Sequence, residues 1–221
     1  MIIESALDHI VIGAADLDQG TAYVEDLLGV TVPRGGEHRS MGTHNCVMSL
    51  GNGTYLEIIA VNPAGDRPYR PRWFGLDDPG IQKKLTQQPR LLTWVVSVPD
   101  ISALATPGNF GEVLTMERDS LQWLITVPED GSLPGNGFLP SVIQWRTAVH
   151  PSLGMADLGC SLAGLDIFHQ YSRRLIKNLE ALEADLLVDI HPIDDHETPY
   201  MTASIRTPGG EMKVISSVHA T

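Results

Sequence analysis

Leu7-Asp8-His9-Ile10-Val11-Ile12 and, farther along, Tyr55-Leu56-Glu57-Ile58-Ile59 are the two runs whose reading decides the fold. Each is a short apolar stretch with the β-branched content of a strand, interrupted by a side chain that can carry a proton or ligate a cation. Strict alternation along the first, over about 6–13, puts Leu7, His9 and Val11 on one face and Ile10 and Ile12 on the other. Working outward, Asp16 reads as a helix N-cap whose oxygen accepts from an orphan amide. Tyr23, Val24, Leu27 and Leu28 then form one apolar stripe, and Gly29 suits a left-handed C-terminal cap. A short strand near 30–32 and two longer ones near 43–50 and 54–61 follow, the last two joined by the hairpin signal Gly51-Asn52-Gly53. Residues 1–62 therefore read as one βαβββ module.

The pattern recurs over 91–147. It opens with Leu92-Thr93-Trp94-Val95-Val96 and closes with Val142-Ile143-Gln144-Trp145-Arg146 in a strand of about 139–146. Asp100 takes the place of Asp16, before a short helix that Pro107-Gly108 should stop. Strands near 112–117 and 121–127 make a hairpin through Arg118-Asp119-Ser120. Between the modules, Pro63, Pro68, Pro71, Pro79 and Pro89 exclude regular ladders, so 63–90 reads as a long loop with one short helix near 81–87. Loops of this length inside a domain are usually functional, and this one is expected to cover a cavity. A diverged third module is expected over 159–218, with a strand at 159–168. Phe168, Tyr171, Leu175, Leu179, Leu182 and Leu186 recur at helical steps after it, and strands near 187–190, 200–207 and 211–216 follow. The expectation is one α+β domain over 1–221, with repeated βαβββ modules forming a curved mixed sheet around a cavity and helices outside.

Composition narrows the function. The 221 residues suffice for a substantial core, and 43% hydrophobic with 19% charged residues is an ordinary globular balance. A formal charge of −12 repels phosphate backbones and anionic lipid, so neither nucleic acid nor a membrane is an expected partner. There is no apolar run of membrane-spanning length and no signal-peptide pattern at the N-terminus. Cys46 and Cys160 make neither a disulfide framework nor a zinc site. A cytoplasmic protein is expected.

The segments at 7–12 and 55–59, the helix opened by Asp16-Leu17 and the phrase Leu28-Gly29-Val30 together resemble the glyoxalase-like branch of the vicinal oxygen chelate superfamily. That superfamily includes glyoxalases, bleomycin-resistance proteins and extradiol dioxygenases. Gly42-Thr43-His44-Asn45 and His150-Pro151 are similar to elements of its large glyoxalase-like domains. The resemblance covers nearly the whole chain and is most specific over 6–61. It implies metal ligands on the first and last strands of two modules, here His9, Glu57, Thr93 and Gln144. It also leaves room for a homodimer.

His9 and Glu57 suit a divalent zinc, iron, manganese or nickel ion, and Gln144 offers a neutral carbonyl as a third ligand. Thr93 departs from the pattern, since a hydroxyl is a poor ligand. Glu57 is also the candidate catalytic base, because a carboxylate on an apolar sheet face is costly unless it is used or paired. The plainer readings are a strand histidine bonded to a neighbour and a glutamate that pairs with an arginine or faces solvent. Candidate substrate-binding residues are Arg146, whose guanidinium would hold a carboxylate, Asn45, and His150 in its loop. Asn45 and His44 flank one strand, so only one can face inward. Trp145 is expected in the core on the other side from Gln144. His191 to Glu197 reads as a solvated acidic loop, and Gly35-Gly36 as a turn. The expected function is a glyoxalase-like enzyme for a small oxygenated metabolite, with a metal chelating vicinal oxygens to stabilise an enolate or oxyanion. Lyase, isomerase and dioxygenase chemistry all use such a centre. The alternative is a metal-free protein of the same fold that binds or sequesters a small molecule.

Overall fold

In the computed structural model, which describes residues 4–104 and 110–218, the first strand is β1 (Ala6–Gly13) and the helix after it is α1 (Leu17–Leu28). Asp16 caps α1 by accepting from the Gln19 amide at 2.8 Å. Gly29 ends it at φ 68°, donating back to the Glu25 carbonyl. β2 (Arg34–His38), β3 (Thr43–Ser49) and β4 (Tyr55–Val61) complete the first half. The short strand thus lies at 34–38 and not near 30–32, and Gly35-Gly36 belongs to it. A Cβ on Gly35 would collide with Asn45 Oδ1, and one on Gly36 would sit 2.8 Å from Arg118 Cδ. These glycines let two polar side chains approach the backbone; they do not turn the chain.

The segment 63–90 carries a 3₁₀ turn at Trp73–Gly75 and the helix α2 (Pro79–Leu85). The second half has β5 (Arg90–Ser97), a 3₁₀ turn at Ile101–Ala103 capped by Asp100, then β6 (Glu112–Arg118), β7 (Leu121–Val127) and β8 (Ser141–Trp145). The expected stop at Pro107-Gly108 lies outside the described residues. The eight strands form one sheet in the order β2-β3-β4-β1-β5-β8-β7-β6. Each half is wired alike, its first strand parallel to its last, and the halves meet where β1 runs antiparallel to β5. The sheet curls until its edges approach: Arg118 at the end of β6 reaches His38 at the end of β2.

β9 (Ser161–Phe168), α3 (Ser172–Glu180), β10 (Asp189–His191), β11 (Tyr200–Arg206) and β12 (Met212–Ser216) follow the element order expected of a third copy. Their pairing differs. They form a separate sheet, β10-β9-β11-β12, in which the first strand sits between the second and third. Its buried Leu165, Ile167, Met201 and Ala203 share one apolar core with α1 and with the outer face of the large sheet, including Ile10, Ile12, Ile58 and Trp94. Val11, Ile59, Val95, Ile125 and Ile143 form a second core on the concave face, closed by Trp73, Phe74 and Leu76. The concave face and the 73–76 segment thus enclose the space in which a site can form. Among the described residues no helix is long and apolar enough to cross a membrane.

Candidate functional site

β1 does not alternate strictly. Its pairing with β5 slips between Leu7 and His9, which leaves Asp8 as the extra residue of a bulge. Leu7 consequently joins the outer core with Ile10 and Ile12, while Asp8 and His9 both turn into the concave side. This corrects the expectation that Leu7 shares a face with His9. The bulge makes the site, because it places a carboxylate beside an imidazole where a regular strand would separate them.

Asp8 is fully enclosed and accepts from three donors. His9 Nδ1 lies 2.6 Å from Oδ1, and Oδ2 takes His150 Nε2 at 2.9 Å and Trp145 Nε1 at 2.8 Å. Burial pushes the Asp8 carboxyl up, but the hydrogen bonds from His150, His9 and Trp145 outweigh it and hold the group well below the usual carboxylate range. An ionised carboxylate can only accept, so His9 carries a proton on Nδ1 and His150 one on Nε2. His150 Nδ1 then accepts from the Ser152 amide at 3.3 Å. The His9 ring stacks on Tyr55 with centroids 4.4 Å apart. Burial, then the charges of Asp8 and Glu57, raises the Tyr55 phenol well above its ordinary value, so it keeps its proton.

Glu57 projects from β4 into the same hollow. Asn45 Nδ2 donates to its Oε1 at 2.6 Å, leaving Oε2 3.7 Å from His9 Nε2. Asn45 is held in turn by the Gly36 amide at 2.8 Å and by Arg118 Nη1 at 3.4 Å, both donating to Oδ1. Asn45, not His44, is the inward-facing member of β3. Arg118 Nη1 also donates to His38 Nε2 at 3.1 Å. Burial, followed by the Arg118 charge, pulls His38 down to about 3, so it stays neutral. Trp73, Phe74, Trp123 and Trp145 wall a cavity of about 30 Å³ around these groups. A groove of about 730 Å³ adjoins it, bordered by Arg118, Arg146, His150, Pro151 and Met155.

His9, Glu57 and Asn45 therefore meet in one hollow, with His150 anchored to its floor through Asp8. Gln144 and Arg146 do not join them. On β8 it is Ile143 and Trp145 that face the hollow; Gln144 points the other way, where its Oε1 accepts from the Ile101 amide at 3.0 Å. That corrects both the third ligand and the expected direction of Trp145. Arg146 is exposed and borders the groove. Thr93 donates to the Gly137 carbonyl at 3.2 Å. Asp8, His38, Arg118 and Trp145 are the site residues that sequence reasoning missed. Asp8 had a visible signal, an aspartate directly before the histidine; Arg118 looked like any residue before a tight turn.

The donor set does not fit the divalent ion that the resemblance implies. Among the described residues no group of three or more His, Cys, Asp or Glu side chains could hold a metal, whereas protein sites for such ions commonly supply three or four ligands. His9 Nε2 and Glu57 Oε2 are two, the Asn45 amide is spent on Glu57, and the Arg118 guanidinium adds a positive charge that a dication would have to meet.

Comparison with known proteins agrees with this architecture. A hypothetical protein from Staphylococcus aureus has a solved structure that matches at a TM-score of 0.57 with 17% identity, covering 98% of this chain and 85% of that one. Methylmalonyl-CoA epimerase from Mycobacterium tuberculosis is 18% identical over 69% of this chain and 93% of that one, at a TM-score of 0.41, a likeness too slight to bear on function. No protein of curated function matches. The family model described as "Glyoxalase-like domain" matches residues 7–183, and with most of its length so matched, the chain belongs to the glyoxalase-like domain family.

Proposed function

We propose that the protein is an enzyme that moves a proton at a carbon beside a carbonyl in a small, oxygenated, anionic metabolite. One observation carries this reading. His9 Nε2 and Glu57 Oε2 lie 3.7 Å apart, each held from behind, by Asp8 at Nδ1 and by Asn45 at Oε1. A base works when it is aimed and desolvated, and both conditions hold here. Glu57 Oε2 takes the substrate's C–H proton, and the bonding pair moves into the carbonyl to give an enolate. Arg118 supplies the fixed positive charge for the enolate oxygen, and His9 Nε2 receives the proton from Glu57. Return of a proton at another face or atom completes an isomerisation. No step is routed through a metal.

The cavity of about 30 Å³ holds roughly two waters. Substrate therefore approaches from the groove, past Pro151 and Met155, which border both spaces. Arg146 on the groove wall is placed to draw in a carboxylate. Cys46 and Cys160 are buried free thiols, which supports a cytoplasmic setting.

The test is deuterium uptake in D2O, followed by proton NMR, over a panel of small 2-oxo acids and α-hydroxy ketones. The expected outcome is exchange at the carbon beside the carbonyl, lost in Glu57→Gln and unaffected by chelators. Exchange that persists in Glu57→Gln would sink the proposal. A second reading, a binding protein for an aromatic compound, is favoured by the three tryptophans on the walls. Quenching of tryptophan fluorescence by a compound that never exchanges would select it.

A further inference from the structure

A second cavity, of about 460 Å³, lies where the start of β5, α2, the 131–138 segment and the small sheet meet. It shares no lining residue with the His9–Glu57 hollow. Its size is that of small-molecule sites, and Ile81, Leu92, Leu133, Phe138 and Met201 make its walls mainly apolar. Arg90, the first residue of β5, is set into this wall and is only 8% exposed.

Among the described residues Arg90 has no carboxylate within ion-pair distance. Its Nη2 donates to the Lys84 carbonyl at 2.9 Å and Nη1 to the Ser217 carbonyl at 3.4 Å, while Nε finds no partner among the described residues. Two neutral carbonyls do not compensate a buried guanidinium, and a buried charge without its opposite is costly. The other charged groups on the cavity are at its rim. Lys84 is exposed there, and the Asp78 carboxylate is committed to the Ile81 amide at 2.8 Å. The balance facing the interior is thus positive, over an apolar floor.

We propose that this cavity binds a small organic carboxylate, its apolar body against Leu133, Phe138 and Met201 and its anionic head on Arg90. A guanidinium pairs with a carboxylate through two parallel N–H donors, and the ligand would supply the counter-charge that the described residues do not. The site is independent of the proton-transfer chemistry proposed above.

The experiment is heteronuclear NMR of the labelled full chain, titrated with sodium benzoate and sodium hexanoate, with benzamide as the neutral control. Saturable shifts are expected at Leu133, Phe138 and Met201, with His9 and Glu57 undisturbed. Benzoate should half-saturate at a concentration about tenfold or more below that of benzamide, the size expected of a hydrogen bond to a charged group. Arg90→Gln should erase that preference. Leu133→Trp crowds the apolar wall on which the ligand's body rests but keeps the guanidinium, so it decides the matter if Arg90→Gln does not fold; it should weaken binding of both carboxylates. Equal response to benzoate and benzamide, no saturable shift with either carboxylate, shifts centred on His9, or undiminished binding in folded Arg90→Gln or Leu133→Trp would each overturn the proposal.

Discussion

The two sheets each carry a carboxylate–imidazole pair stacked on an aromatic ring, and the pairs are close to identical in length. Asp8 and His9 on the large sheet are 2.6 Å apart, with side chains 0% and 4% exposed. Asp166 of β9 and His191 of β10 on the small sheet are 2.7 Å apart, with 27% and 44% exposed. His9 stacks on Tyr55 at 4.4 Å and His191 on Phe168 at 4.6 Å. Distance therefore does not tell the two pairs apart. Enclosure does, together with the further donors on Asp8. A buried carboxylate with three anchors fixes its imidazole in one orientation; a pair open to water fixes little and is screened.

The difference can be broken most directly at Asp8. Asp8→Ala leaves the buried His9 donor and the half-buried His150 and Trp145 donors without their shared acceptor and is expected to cost about 3–5 kcal/mol of unfolding free energy, the range for breaking an enclosed charge interaction. Urea denaturation measures it, and a loss under about 1 kcal/mol would make the two pairs equivalent.

Acidification should come next in size. His38 binds a proton in the unfolded chain below pH 6.5 but in the folded protein only below about 3. Between those values the unfolded state holds more protons, so stability rises with pH and falls on acidification, with a slope of up to about 1.4 kcal/mol per pH unit. Asp8 has the opposite charge but the same sign of effect: its depressed pKa contributes stability that begins to fade only as pH falls toward its ordinary value of 3.8. Denaturation curves at several pH values should show the His38 slope first, and His38→Gln should flatten it.

Trp145→Phe removes one of the three donors to Asp8 while keeping a ring in place. About 1.5–3 kcal/mol is expected, as for a hydrogen bond to a charged acceptor. Finally, Asp166→Ala on the small sheet should cost under about 1 kcal/mol. A larger loss there would show that the open pair is structural after all.

The features written into local chemistry were legible in the sequence. Asp16 before α1, Gly29 after it and Gly51-Asn52-Gly53 between β3 and β4 act through their own backbone preferences, and the structure places them as read. What depends on a neighbouring strand was not legible. The slip that releases Asp8 is set by β5, and the phase of Gln144 and Trp145 by how β8 lies on β7. Either error of one residue exchanges the two faces of a strand. Gly35-Gly36 read as a turn because glycine marks turns more often than close approaches; here it makes room for Asn45 and Arg118. The 159–218 segment has the right elements in the right order, and only the pairing sets it apart. His9, Glu57 and Asn45 could be nominated because their strands were unmistakable, whereas Arg118 reaches them only through the curl of the sheet.

The position of β1 has a consequence for biosynthesis. It bonds to β4 on one side and β5 on the other, both of which emerge from the ribosome after it. Until β4 has emerged both edges of β1 are open, and until β5 has emerged one still is, so an apolar ribbon must be kept from pairing with itself or with a neighbouring nascent chain. Chaperone demand should therefore fall in two steps, as β4 and then β5 close over the seam.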